Sequence, residues 1–434
     1  MNLKSLIVPF IICCISFSAY SQTIDELIDL HKNNLRELVN NRGLNWQDTG
    51  DVDSWDLIDS LGEYDDNVGL LIYSLENDTL IVTLINKYSE LLTYKYNISK
   101  DSLVVLVSKA NQWFSQSFLS RSPSKRGART ITSNQDESEL KNAFELVNST
   151  LLPFKESLET YDHLIIVPTL NIATLPFSAF RINENKYLID VLSYSIAPSL
   201  FELMVSKHIN KARGIESYQK IHYFFSNALF VANPNFPHDS VWNFPSLPGT
   251  LTEVEYITNS MDSSTYVFFK GKEATATNIT NDICEYDLLY FATHGISDSN
   301  LPLDKSFLVL AKDSVGLSFL TARNIQNFKN NCGLKADLVI LSACKTGLGK
   351  VHEGGIIGLA RAFQIAGANH VLMSLWSIND QETATLMGFF FDYLKEADNL
   401  MPHAAMRKAI LKYKNEVNDN PNYWASFSIF GVPY

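Results

Sequence analysis

Short apolar runs bounded by polar, glycine and proline residues recur along the second half of the chain. They cover His163 to Pro168, Leu192 to Ala197, Asn227 to Ala232, Leu288 to Thr293, Phe307 to Ala311, Asp337 to Leu341 and Asn369 to Leu375. Runs of this length predict buried strands, and their alternation with longer helical patterns predicts an α/β fold with a mainly parallel sheet flanked by helices. Upstream the pattern changes. Ile24, Leu27, Ile28, Leu30, Leu35 and Leu38 recur at helical spacing between Thr23 and Asn41, and a polar stretch follows. Val68 to Tyr73 and Leu80 to Ile85, separated by Glu76-Asn77-Asp78, predict a β-hairpin. Helical periodicity covers Ser102 to Leu119 and Glu137 to Thr160. No fixed-period repeat is present, so a solenoid is not supported.

The predicted organisation is a signal peptide over 1–21, a short helical lead over 22–66, a hairpin-and-helix region over 67–160, and the strand-rich core over 161–434. The signal reading rests on Lys4, the apolar stretch Leu6 to Phe17, and the small-x-small pattern Ala19-Tyr20-Ser21 before Gln22. It implies an exported protein, periplasmic or secreted. No other segment is long and apolar enough to span a bilayer, so no integral membrane segment is expected once the signal is removed.

Composition narrows the partners. The chain has 434 residues, 46% hydrophobic and 19% charged, with a formal net charge of −12. An acidic chain without a clustered basic face is not expected to bind nucleic acid. Its basic stretch, with Arg121, Lys125, Arg126 and Arg129 among serine, proline and glycine, reads as a flexible loop over 120–136. Beyond the signal lie Cys284, Cys332 and Cys344. Cys284 and Cys332 each precede one of two apolar runs, so they either form a disulfide at the strand starts or stay buried and unpaired.

Candidate chemistry sits at the other ends of those two runs. Leu288-Leu289-Tyr290-Phe291 leads into Ala292-Thr293-His294-Gly295, and Leu338-Val339-Ile340-Leu341 leads into Ser342-Ala343-Cys344. Ligand chemistry in open α/β sheets lies at the carboxyl ends of the strands. A thiol of ordinary pKa, ~8.5, is mostly protonated at neutral pH and needs a base. His294 is that candidate base, with Cys344 the nucleophile. The backbone amides of Gly295 and Cys344 are candidates for holding an oxyanion. His352 and His370 compete as bases. Gly354-Gly355-x-x-Gly358 lacks the first turn of a dinucleotide fingerprint, and Gly347-Leu348-Gly349-Lys350 is followed by Val351 instead of a hydroxyl. There is no Gly-x-Ser-x-Gly elbow and no metal-ligand spacing, so neither a cofactor nor a metal is expected.

The residues resemble the CHAT peptidases, relatives of caspases, separases and gingipains. The resemblance is carried by Leu164-Ile165-Ile166-Val167-Pro168 with Leu175-Pro176-Phe177, Ile196-Ala197-Pro198-Ser199, Leu247-Pro248-Gly249 with Glu253-Val254, and Ala274-Thr275. It continues through Ala292-Thr293-His294-Gly295, Leu341-Ser342-Ala343-Cys344, Ser374-Leu375-Trp376 with Asp380, and Tyr423-Trp424-Ala425-Ser426-Phe427. It implies a caspase-like fold and a cysteine endopeptidase acting through a His294–Cys344 dyad on a protein or peptide substrate; whether a protein activator is a further partner is left open by the sequence. It also implies that Ser374 to Asp380 line the primary specificity pocket, with Asp380 and then Asp298 as acidic candidates favouring cleavage after basic residues. Trp376 and Glu353 are carried as further pocket candidates. Two other readings stay open: an inactive caspase-like scaffold binding a peptide or protein, and a cysteine hydrolase of non-peptide acyl groups.

Overall fold

The computed structural model describes residues 24–29, 61–62, 67–88, 90–121, 134–197, 199–200, 203, 226–238, 242–259, 261–298, 301–342, 353–376, 380–396 and 401–431. The expected signal segment, residues 122–133 of the basic loop, Thr346 to Gly349, His352 and Cys344 lie outside the described residues.

An eleven-stranded sheet runs through the molecule in the order β3-β2-β1-β4-β5-β14-β13-β12-β8-β6-β7. Its strands are β1 (Val68–Glu76), β2 (Thr79–Asn86), β3 (Leu91–Asn97), β4 (His163–Val167), β5 (Ser193–Ile196), β6 (Ala228–Pro234), β7 (Tyr266–Gly271), β8 (Leu288–Ala292), β12 (Leu338–Leu341), β13 (His370–Ser374) and β14 (Phe427–Phe430). The sheet has two parallel runs. β1, β4, β5 and β14 form one, and β13, β12, β8, β6 and β7 form the other. The runs meet in the antiparallel pair β13/β14, and β2 and β3 add antiparallel strands at one edge.

Strands covered on both faces cannot alternate apolar and polar residues, which is why β4, β8, β12 and β13 are buried at every position. The β1–β2 hairpin turns on Asn77 and Asp78, with φ of 44° and 58°. Two consecutive left-handed residues match the right-handed twist of the flanking strands.

Seven longer helices matter here: α1 (Lys100–Arg121), α2 (Asn134–Leu151), α3 (Gly249–Thr258), α4 (Ala322–Asn331), α5 (Glu353–Ala366), α6 (Asp380–Glu396) and α7 (Pro402–Glu416). α3 packs on α6, α1 on α2 and α4 on α5. The faces of β8 show how the sheet is covered. Tyr290 meets Phe391 of α6, while Phe291, on the opposite face, meets Phe363 of α5.

Two expectations change. The helix expected over Glu137 to Thr160 is α2 followed by a separate turn, Lys155–Leu158. Pro153 lies in the break, and its ring disfavours helix at Leu152 and removes a donor. The run Phe307 to Ala311 joins the main sheet only in expectation. Its strand, β10 (Phe307–Val309), belongs to a small antiparallel sheet with β9 (Gly295–Ile296) and β11 (Phe319–Thr321). The short connections on either side of β10 favour antiparallel return over a parallel crossover.

Cys284 and Cys332 form a disulfide with a Cα–Cα distance of 6.2 Å. The bridge lies just ahead of β8 and β12, at the strand starts, which settles the alternative left open by the sequence.

Candidate active site

β8 and β12 are adjacent and parallel, with Leu288 opposite Leu338 and Phe291 opposite Leu341. The two apolar runs therefore end level, and the chain leaves the sheet at one edge from both. His294 and Cys344 each stand three residues beyond a paired position, Phe291 and Leu341.

His294 is held from three sides. Its side chain is 2% exposed, and Nε2 lies 2.7 Å from the carbonyl oxygen of Pro245. A carbonyl only accepts, so Nε2 carries the hydrogen and, in the neutral ring, Nδ1 carries the lone pair. Phe236 and Phe244 pack against the imidazole at centroid distances of 4.6 and 5.3 Å. Phe244 is itself fixed in an aromatic group by stacking on Trp242, which also meets Phe307 of β10 and Phe319 of β11. The backbone is fixed as well: Thr293 Oγ1 donates to Val309 O at 2.5 Å, and the Val309 amide donates to His294 O at 2.8 Å.

That last bond orients the neighbouring glycine. With Val309 bonded to His294, Gly295 and Leu308 form a pair whose amides do not bond each other. The N–H of Gly295 points away from β10, off the outer edge of the small sheet.

The remaining candidates are placed as follows. Asp298 accepts from the Leu301 amide at 2.8 Å, capping the turn before Pro302–Lys305. Trp376 is 4% exposed, stacks on Phe114 at 5.3 Å and donates from Nε1 to Asn422 O at 3.2 Å, so its indole serves the core. Asp380 and Glu353 are the first residues of α6 and α5. His370 begins β13 opposite Leu338, so it sits at the far edge of the sheet from His294, and it is buried there. Its position removes it as a competing base.

The sequence reading missed the Pro245 carbonyl, the aromatic packing on His294, and a buried pair behind the site. Tyr290 donates its phenol hydrogen to the Glu253 carboxylate, both residues being enclosed. Burial, then the Glu253 charge, push the phenol well above its usual pKa, so it remains a donor. The available signal was a glutamate at an otherwise core-facing position of α3. Among the described residues, no cluster of histidine, cysteine or acidic side chains is arranged to hold a metal ion, and no helix is long and apolar enough to cross a membrane.

The large, mostly parallel sheet flanked by helices has the caspase-like fold. Residues 140–432 match the model of the CHAT domain, and the chain belongs to the CHAT domain family. Separase from Saccharomyces cerevisiae, in its complex with securin, shares the fold at a TM-score of 0.56 and 10% identity, over 96% of this chain and 34% of that one. The arginine-specific cysteine proteinase gingipain R aligns at a TM-score of 0.41 and 13% identity, over 77% of this chain and 74% of that one. Human tetratricopeptide repeat protein 28 is 24% identical over 305 residues, which is 62% of this chain and 12% of that protein. The chain thus spans about an eighth of that relative's length.

Proposed function

We propose that this protein is a cysteine endopeptidase in which Cys344 is the nucleophile and His294 its base. The observation that carries the reading is the level, parallel register of β8 and β12, with both side chains three residues beyond paired positions. Three residues of chain span at most ~11 Å, so connectivity alone keeps Cys344 near the sheet edge that presents His294.

The chemistry follows from the tautomer. With Nε2–H engaged by Pro245, Nδ1 takes the proton of the Cys344 thiol, and the Pro245 carbonyl dipole favours the imidazolium that forms. The thiolate attacks the scissile carbonyl carbon. The amide of Gly295, directed away from β10, is the donor for the resulting oxyanion, with the amide of Cys344 as the second. His294 then returns its proton to the leaving amine, and water hydrolyses the acyl-enzyme in a second cycle of the same transfers.

The substrate class we assign is protein or peptide, with Asp380 and Asp298 the acidic groups that would favour a basic residue before the cut. We also place the protein outside the cytosol, because a disulfide between Cys284 and Cys332 suits an oxidising compartment. The test is incubation of wild type, Cys344→Ala and His294→Ala with a diverse peptide mixture under mild reduction, with products read by mass spectrometry. Cleavage by wild type alone supports the dyad. Equal cleavage by the variants rejects it, and specific peptide retention without cleavage by any of the three supports a caspase-like binding scaffold instead.

A further inference from the structure

The face of β8 opposite Phe291 carries a polar chain that the peptide chemistry does not use. Tyr290 lies on β8, four residues before His294 in the chain, and is fully buried between Phe230 and Phe391. Its hydroxyl donates to Glu253, a carboxylate on α3 that is 1% exposed. The Ser342 hydroxyl acts on the same phenol, drawing its pKa back down against burial and the Glu253 charge. Ser342 directly follows β12 and stands two residues before Cys344. Paired residues of parallel strands point to one side of the sheet, and Ile340 is paired with Tyr290. Ser342, two residues beyond Ile340, falls on the Tyr290 side.

Burying a carboxylate is costly, and a purely apolar filler would pack this layer without that cost. Directional bonds give what apolar packing does not, a fixed position for the segment at one end of the chain. We infer that Glu253, Tyr290 and Ser342 form a positioning network, anchored on α3, that fixes the exit of β12 and so aims Cys344 at His294. Tyr290 donates to Glu253, so the carboxylate fixes the phenol on the face of the sheet to which Ser342 belongs. The three are positioning residues, and the inference rests on the proposed dyad.

The experiment measures alkylation of Cys344 by iodoacetamide in the full chain as a function of pH, read on the Cys344 peptide by mass spectrometry. It needs no peptidase substrate. Wild type, His294→Ala, Tyr290→Phe, Ser342→Ala, the double variant Tyr290→Phe/Ser342→Ala, Glu253→Gln and Glu253→Ala are compared at a temperature where circular dichroism shows each folded. Tyr290→Phe and Ser342→Ala are each expected to slow alkylation at pH 7 by about tenfold or more and to move the midpoint towards the ~8.5 of an isolated thiol. The double variant should be no slower than the slower single one, the mark of residues acting as a unit. Glu253→Gln, whose amide oxygen still accepts, should keep the wild-type profile while Glu253→Ala loses it. A wild-type midpoint in folded Tyr290→Phe and Ser342→Ala overturns the network. His294→Ala separates the two layers of argument: an unchanged profile there sinks the dyad, whereas a shifted profile there with unchanged network variants sinks the network alone.

Discussion

His163 and His403 are enclosed in the protein and share one hydroxyl, with their Nδ1 atoms 2.9 and 3.1 Å from Ser193 Oγ. Their rings lie 3.9 Å apart, and His163 Nε2 is 3.0 Å from Ser195 Oγ. Burial, and then the charge of neighbouring histidines, holds His163 down at about 3 and His403 well below the ordinary imidazole value. The unfolded imidazoles take protons near pH 6.5 and the folded ones refuse them. Stability from this pair is therefore complete above pH 6.5 and lost as pH falls from there towards 3, at about 1.4 kcal/mol per pH unit for each histidine. Urea unfolding at pH 7 and pH 5 should show a drop of about 2 kcal/mol from His163 and a further drop from His403, and His403→Asn should flatten the dependence. A pH-independent unfolding free energy would contradict this. At this scale the sequence was legible for side chains delivered by a strand and opaque for the backbone atoms that hold them. The run Leu288 to Phe291 placed His294 just beyond a buried strand, which is where it stands. The Pro245 carbonyl that fixes the imidazole has no side-chain signature, and Glu253 and Tyr290 are far apart in the chain, so nothing local marks them as partners.

Among the elements, the Cys284–Cys332 bridge ties the approach to β8 to the approach to β12, the two strands that lead to the proposed dyad. Its sequence separation is 48. A loop of that size corresponds to about 4 kcal/mol in the chain-entropy account. The double variant Cys284→Ala/Cys332→Ala should unfold at correspondingly lower denaturant, by about 2–5 kcal/mol, with the pH profile of Cys344 alkylation unchanged because the bridge lies at the opposite strand ends. A shifted profile would show that the bridge also governs the site. Gly431 gives a second test. It follows β14 at φ 142°, its amide donates to Ile196 O, and a Cβ there would stand 2.7 Å from the Asn369 carbonyl oxygen. A backbone oxygen cannot swing aside, so Gly431→Ala should cost about 1–3 kcal/mol and loosen the β13/β14 junction where the two halves of the sheet meet. An unchanged melting temperature would refute that. The strands buried on both faces were readable as apolar runs. β3, exposed along most of its length, and β9 and β11, two and three residues long, were not, because neither burial nor length leaves a pattern. Likewise, Pro153 was present in the sequence, but the helical periodicity on both sides of it masked the break.

At the scale of the whole molecule, the alternation of strands and helices gave the sheet and its helical layers, and the ordered series of short motifs gave the family. The reversal between the two parallel runs was not legible. It depends on β14, at the far end of the chain, inserting between β5 and β13, and pairing over such distances leaves no local trace. The same insertion brings the Phe427 end of β14 beside Ser374, and the Leu375 amide donates to Ser426 O just ahead of that strand, so β14 buttresses the carboxyl end of β13. The proposed chemistry at this edge of the sheet is an acyl-enzyme on Cys344. The most direct measurement is rapid acid quenching of the wild-type protein during turnover of a peptide it cleaves, with intact-mass and peptide-level mass spectrometry of the enzyme. The account predicts an acyl adduct on Cys344 that is absent from Cys344→Ala and does not form in His294→Ala. Peptide cleavage that persists in Cys344→Ala, or an adduct carried by any other residue, would contradict it.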